Sequence, residues 1–418
     1  MSKGRLVPWV ALFGLVWACG VTLYRALRWP NDWAEAHWLI TYEFGFIKRG
    51  LAGTLLNLAV PEARLQTAIL SVSVFFLAAL ALALVWAGFR LCSRAQWRPA
   101  MVFTVAVFLT SPYIVMSAHL IGYYDHIVIL IALFACWCVL RAQPELAALL
   151  LAAGVLVHEN ILVIGLPCVL FAVVLRIAPP LRGVPAPPAA WRTLARYTLV
   201  AAAPIAVFLA IFIYQHYYVD NAALRPTLRA HILEYPFVQW SRHNTVSKAF
   251  TTSFFFYLKT QSPHIWERLF SLENSVQNGV TLLFLWAALA QGLRGRAYFW
   301  PLLLFGLVLS LLPLSFHLIA WDTSRFWTLP AVAAFMAVWA AWESRAGEAV
   351  SSRSEQIIAA LALMGVVFNA LIRTLLMDLE TERLSDAGRI LAYAPACLAF
   401  AYVMTRHSAS GPARANGE

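Results

Sequence analysis

The sequence predicts an all-α, polytopic transmembrane helical bundle of about twelve spans, with interfacial helices in its first outer loop. Three observations carry that expectation. Apolar runs of about 17–25 residues recur along the chain, the length needed to cross roughly 30 Å of hydrocarbon. Of 418 residues, 61% are hydrophobic and only 12% charged, and no stretch looks like a separate soluble domain. Threading the runs in alternating direction puts nine of the ten histidines, all but His407, on one face. Polar chemistry gathered on one face suits an enzyme at a membrane surface better than a conduit through it.

With the N-terminus in the cytoplasm, spans are expected near 7–24, 65–89, 99–118, 126–141, 145–157 and 160–177. Six more follow near 197–217, 276–293, 298–316, 326–342, 355–376 and 388–405, returning the C-terminus to the cytoplasm. Lys3 and Arg5 precede the first run as in a signal peptide. No convincing small-residue cleavage site follows, so the run is read as an uncleaved span. The short inner loops are basic, with Arg90, Arg94 and Arg98 in one and Arg294 and Arg296 in another, as the positive-inside bias requires. Fifteen of the 20 acidic residues fall on the outer side. The expected location is the bacterial inner membrane, with the active site on the periplasmic face.

Two outer segments are too long to be simple connectors. Segment 25–64 carries Trp29, Trp33 and Trp38 among charges, the pattern of a helix lying in the interface; its tail, Leu51 to Val60, is too short to span. Segment 218–275 mixes Tyr, His, Arg and Phe and is read as an ordered cap. The Pro-rich inner stretch 178–196 is a stiff linker. It divides a catalytic transmembrane half, 1–177, from a C-terminal transmembrane half, 197–405, followed by a tail, 406–418.

The net charge of +11 raises nucleic acid as a partner. The basic residues are scattered through short loops and form no stripe, so anchoring to anionic lipid headgroups is the better reading. The six cysteines lie in or beside apolar runs without metal-ligand spacing and read as small buried apolar residues. Gly-rich phosphate loops, nucleophile elbows and zinc-protease motifs are absent. Any cofactor is unspecified: a divalent cation is conceivable, but no motif announces one.

Five groups can carry chemistry. Asp32 and Glu35, with His37 nearby, follow the first span; three residues apart on a helix, the carboxylates share one face and suit base and orienting roles toward a hydroxyl nucleophile. Lys48 and Arg49, near Glu43 and beside Gly50, can grip a phosphate, or equally a lipid headgroup. Asp125 and His126 stand where the third span turns into the fourth; Asp125 serves either the site or the cap of the fourth span. His158, Glu159 and Asn160 interrupt an apolar tract from Leu146 to Ile177 and need partners or water there. Asp322 and Arg325 either pair with each other across a turn, or Arg325 contacts a lipid phosphate.

Together these groups resemble the polytopic GT-C glycosyltransferases, which use lipid-phosphate-linked sugars on the outer side of a membrane. Three places carry the resemblance. The stretch Phe108-Leu109-Thr110-Ser111-Pro112-Tyr113 through Asp125, then Ile127 to Ala135, is similar to that superfamily's third and fourth spans. His158-Glu159-Asn160-Ile161-Leu162 through Pro167 is similar to its short fifth and sixth helices. Asp32 occupies the place of its first-ectoloop carboxylate. The match covers roughly residues 1–180; the Lys48-Arg49-Gly50 element has no counterpart in it, and the ectoloops lack an Asp-x-Asp.

The resemblance implies transfer of a sugar from a polyprenyl-phosphate carrier to a cell-envelope glycan or lipid-linked acceptor. Asp32 would be the base, with Glu35 as substitute. Lys48, Arg49 and Arg325 would neutralise the donor phosphate, while Asp125, His126, His158, Glu159 and Asp322 would line the site. The rival expectations are a lipid-linked-glycan flippase, which wants ionisable groups near the midplane, and another outer-face enzyme such as a glycan polymerase or acyltransferase.

Overall fold

The computed structural model describes residues 6–178, 191–238, 243–345, 355–377 and 380–409. Among them there is no strand, and the chain is a bundle of α-helices. The first three are α1 (Val7–Tyr24), α2 (Asp32–Trp38) and α3 (Gly50–Ala59). Next come α4 (Leu65–Arg94), α5 (Pro99–Leu109), α6 (Pro112–His119), α7 (Asp125–Leu140), α8 (Pro144–Val157) and α9 (Ile161–Ile177). Then α10 (Trp191–Tyr217), α11 (Asn221–Leu233), α12 (His243–Thr251), α13 (Phe254–Gln261) and α14 (Ile265–Leu269) follow. The last are α15 (Leu272–Leu293), α16 (Phe299–Leu311), α17 (Thr323–Glu343), α18 (Glu355–Leu371) and α19 (Asp386–Ala409).

Eight helical stretches are long and apolar enough to cross a membrane: α1, α4, α5 with α6, α10, α15, α16 with its 3-10 extension to Leu318, α17 and α19. The remaining apolar helices, α3, α7, α8, α9 and α18, are 10–17 residues long. The expected span 99–118 is broken at Thr110–Ser111. Pro112 lacks the N–H that a continuous helix needs, and Ser111 before it is extended (φ −70°, ψ 161°). Pro313 similarly turns the end of α16 into a 3-10 helix, Leu312–Leu318.

Burial sorts the helices. α5 is buried throughout, and α17 is buried from Arg325 to Trp342, so these two form the centre, where Phe108 and Phe335 stack with centroids 4.0 Å apart. By contrast α1, α4, α10 and α19 leave most of their surface open, including Phe75, Leu82, Leu209 and Leu398. Helices that are apolar all round and unburied on one side belong against hydrocarbon. This is a helical membrane protein. Its main core runs continuously from Ala11 to Val403, and α8 packs along α10. The two expected halves therefore share one interior; the linker at 178–196 lies mostly outside the described residues.

Polar contacts collect at the two ends of the bundle. At one end Arg90 and Arg94 reach Glu343 at 2.8 and 3.1 Å, and Arg296 donates to the Leu175 and Ser344 carbonyls. At the other, Arg25 pairs with Glu382 at 2.8 Å with both side chains almost wholly buried, and Arg28 donates to the His119 carbonyl at 2.6 Å. This second end also carries the two long segments, which pack on each other around a small core of their own. Trp38, Leu39, Ile40 and Leu56 from the first meet Leu228, Ile232, Val246 and Phe250 from the second.

Candidate active site

The site begins with α2. Asn31 caps it, its side chain accepting from the Ala34 N–H at 3.0 Å, and Asp32 and Glu35 sit in the first turn, where a helix N-terminus favours carboxylates. At about 100° per residue, Asp32 and Glu35 share one face while Trp33 and His37 lie roughly 150° round the helix. The expected acid pair and His37 thus look in nearly opposite directions. Glu35 is 5% exposed and, like the partly exposed Asp32, makes no hydrogen bond or ion pair among the described residues. Burial first, and the neighbouring Asp32 charge second, push the Glu35 carboxyl up to about 7.

On the opposite face, His37 is buried among three rings: Trp33 at 5.1 Å, Phe250 at 5.4 Å and Tyr124 at 6.0 Å between centroids. Its Nδ1 donates to the Trp33 carbonyl at 2.7 Å, and its own carbonyl accepts from the Tyr124 hydroxyl at 2.8 Å. Burial, then the Arg49 charge, holds the imidazole pKa down to about 3, and Arg325 lowers it further.

Beyond α2 the chain turns through Gly45 (φ +96°) to Lys48 and Arg49. Arg49 precedes α3 in the left-handed region (φ 64°, ψ 12°), a conformation costing a non-glycine residue about 1–2 kcal/mol. A side-chain contact holds it there. The guanidinium grips Glu159 through both Nε (2.9 Å to Oε2) and Nη2, and also lies over the Phe250 ring at 5.8 Å. Burial opposes the Glu159 charge, but Arg49 beside it holds the carboxyl well below the usual range. Lys48 is different. Its Nζ reaches only the Thr252 carbonyl, at 3.4 Å, and it forms no ion pair among the described residues. Burial pulls its ammonium down to about 8, an effect Glu159 partly offsets.

A polar relay continues from Glu159. His158 Nδ1 accepts from the Asn160 N–H at 3.1 Å, and the Asn160 amide approaches Asp125 at 3.4 Å. Asp125 Oδ2 meets Arg325 Nη2 at 2.6 Å, and Arg325 Nη1 meets Asp322 at 3.3 Å. The Arg325 guanidinium also sits over the Tyr123 ring at 5.3 Å. Beside this pair lies a cavity of only ≈ 10 Å³, lined by Asp125, His126, Arg325, Tyr113 and Ser117 among others, room for about one water. His126 makes no hydrogen bond to the relay itself; its Nε2 donates to the Ser117 carbonyl at 2.9 Å.

The structure therefore joins Arg49, Glu159, His158, Asp125, Arg325 and Asp322 into one connected set, with Lys48 and His37 alongside. Asp32 and Glu35 are outside it. Asp125 is the first residue of α7 and its side chain caps nothing, so the capping role considered for it is wrong: Arg325 and Asn160 take the carboxylate instead. Asp322 and Arg325 do pair, but Arg325's shorter contact is to Asp125. Glu43 is exposed.

Not legible in the sequence were Asn160 as the bridge, Tyr123 and Phe250 as the rings under the two arginines, and Glu382 as the partner of Arg25. Among the described residues no group of three His, Cys, Asp or Glu is placed to hold a metal ion. No family model matches the chain, and comparison with curated proteins and with solved structures found no similar one.

Proposed function

We propose that the chain transfers a sugar from a polyprenyl-phosphate-linked donor to a cell-envelope glycan or lipid-linked acceptor at the polar end of the bundle. The observation that carries this reading is Lys48. Arg49 and Arg325 are already matched by Glu159, Asp125 and Asp322, which leaves Lys48 as a half-buried ammonium that, among the described residues, hydrogen-bonds only the Thr252 carbonyl and forms no ion pair of its own, with the Glu159 charge acting on it from beyond contact. A half-buried cation with no ion pair of its own suits an anion that arrives from outside. A lipid-linked phosphate is the anion best placed to reach it, since the site lies at the end of helices whose flanks face hydrocarbon.

In the reaction, the acceptor hydroxyl oxygen bonds to the anomeric carbon and the bond from that carbon to the phosphate oxygen breaks. Negative charge grows on the leaving phosphate, where Lys48, with Arg49, stabilises it. The relay through His158, Asn160, Asp125 and Arg325 fixes the surrounding wall. The proton of the hydroxyl passes to a group on α2. The about twelve crossings, cytoplasmic termini and outward-facing site are part of this proposal. Glu159 is tied to Arg49 and so is not a free carboxylate of the kind a transport site uses.

The test is release of polyprenyl phosphate by the full chain in nanodiscs, supplied with polyprenyl-phosphate hexoses and pentoses and a glycan acceptor extract. Removing one charge-stabilising contact typically costs about 100-fold in turnover, so Lys48→Met should show at least that loss while eluting as wild type. Wild-type protein inert toward every such donor would end the proposal.

A further inference from the structure

We infer that His37, through Nε2, is the group that takes the proton from the incoming hydroxyl. This assignment rests on the transfer reading above and replaces the carboxylates expected for that role. A carbonyl can only accept, so the 2.7 Å contact from Nδ1 to the Trp33 oxygen means that Nδ1 carries the hydrogen. The tautomer is thereby fixed, and Nε2 holds the lone pair. That nitrogen makes no hydrogen bond among the described residues, although the rest of the residue is held on every side. The Trp33, Phe250 and Tyr124 rings fix the ring plane, and the Tyr124 hydroxyl fixes the backbone. An imidazole nitrogen with a locked tautomer, a locked ring and a vacant lone pair is arranged as a proton acceptor.

Its neighbours place it beside the cations proposed to hold the donor phosphate. Phe250 touches both the His37 ring and the Arg49 guanidinium, and Thr252, two residues on, holds Lys48. The charged and titratable groups facing His37 are Arg49 before α3, Arg325 on α17, Glu159 between α8 and α9, and Tyr124 before α7. Glu35 answers to none of those cations; the charge acting on it is Asp32.

Burial first, then the Arg49 charge and further the Arg325 charge, disfavour a charged imidazole. A phosphate anion seated beside the two arginines offsets their part of that effect. The step balances. The hydroxyl proton moves to Nε2, the oxygen electron pair forms the bond to the anomeric carbon, and the carbon–phosphate oxygen pair leaves on the polyprenyl phosphate. The imidazolium left behind faces that anion and passes its proton to water when the product departs.

The experiment uses the same nanodisc assay. His37→Ala should lower kcat by about 100-fold or more, the usual worth of a positioned base, with the donor KM changed less than about threefold. Imidazole added to the buffer should restore turnover in proportion to its neutral fraction, which a packing role would not do. His37→Gln keeps a polar side chain of similar bulk on α2 but has no base, and should be folded and equally slow. If both variants keep wild-type turnover within about threefold while Glu35→Gln abolishes it, the assignment is overturned and the transfer reading survives. If the wild-type chain releases no polyprenyl phosphate from any donor, that reading fails and the His37 assignment falls with it.

Discussion

Replacing Asp125 by Asn removes the carboxylate that meets Arg325 at 2.6 Å, where each side chain is 10% exposed. Breaking a buried ion pair by deleting one partner costs about 3–5 kcal/mol, because the remaining charge stays out of water. Asp322 still faces Arg325 at 3.3 Å, which places the expected loss at the lower end, about 3 kcal/mol. Asp322→Asn removes the longer of the two contacts to Arg325, from the more exposed carboxylate, and should cost less than Asp125→Asn. Asp125→Asn combined with Arg325→Met removes both buried charges and should recover most of the loss, since an apolar replacement of a buried pair is often neutral. The assay is reversible unfolding in mixed micelles, read as the free energy at zero denaturing detergent for all four proteins. Equal losses from Asp125→Asn and Asp322→Asn, or a double variant worse than either single one, would refute the reasoning that Asp125 is the main partner of Arg325.

Three further outcomes follow from single residues. Because burial brings Lys48 down to about 8, affinity for farnesyl phosphate should fall as pH rises through about 8, whereas Lys48→Arg should hold its affinity to about pH 10; isothermal titration across that range checks it. The Glu35 carboxyl is raised from 4.5 to about 7, so its protonated form stabilises the fold below 4.5 and that contribution is lost as pH rises through 7. Glu35→Gln should then match wild type near pH 5 and exceed it near pH 9 by about 1–3 kcal/mol, measured by unfolding at the two pH values. Gly122 has φ +90°, and a Cβ there would lie 3.0 Å from Ala34 Cβ and 3.1 Å from Pro30 Cβ. Gly122→Ala should cost about 1–3 kcal/mol and loosen α2, seen as faster amide exchange at Trp38, whose indole N–H donates to the Gly122 carbonyl at 2.9 Å.

Much of the fold was legible because apolar run length is a local property. Runs such as 7–24 and 326–342 announce themselves without reference to anything else in the chain. The break at Pro112 was written in the sequence too, yet the composition stays apolar across it and run length alone passes over it. The site was legible only as residue types. Arg49 and Glu159 are 110 residues apart, Asp125 and Arg325 are 200 apart, and Arg25 and Glu382 are 357 apart. No spacing rule pairs groups across such distances; only helix packing does. The reading of α2 shows the same limit. Its helical spacing put Asp32 and Glu35 together, but which face of a seven-residue helix turns toward the cations depends on Trp38 and Ala34 docking against the 120–124 turn. That docking turns His37, and not the carboxylates, toward Arg49 and Arg325.

Sugar transfer from a lipid-linked phosphate can be followed with one radiolabelled polyprenyl-phosphate sugar in sealed vesicles containing the full chain. Label should leave the lipid for a glycan acceptor, one polyprenyl phosphate appearing per sugar transferred, and Lys48→Met should stop it. Label that stays on the lipid but crosses from one leaflet to the other would contradict it and make the chain a transporter of the lipid-linked sugar.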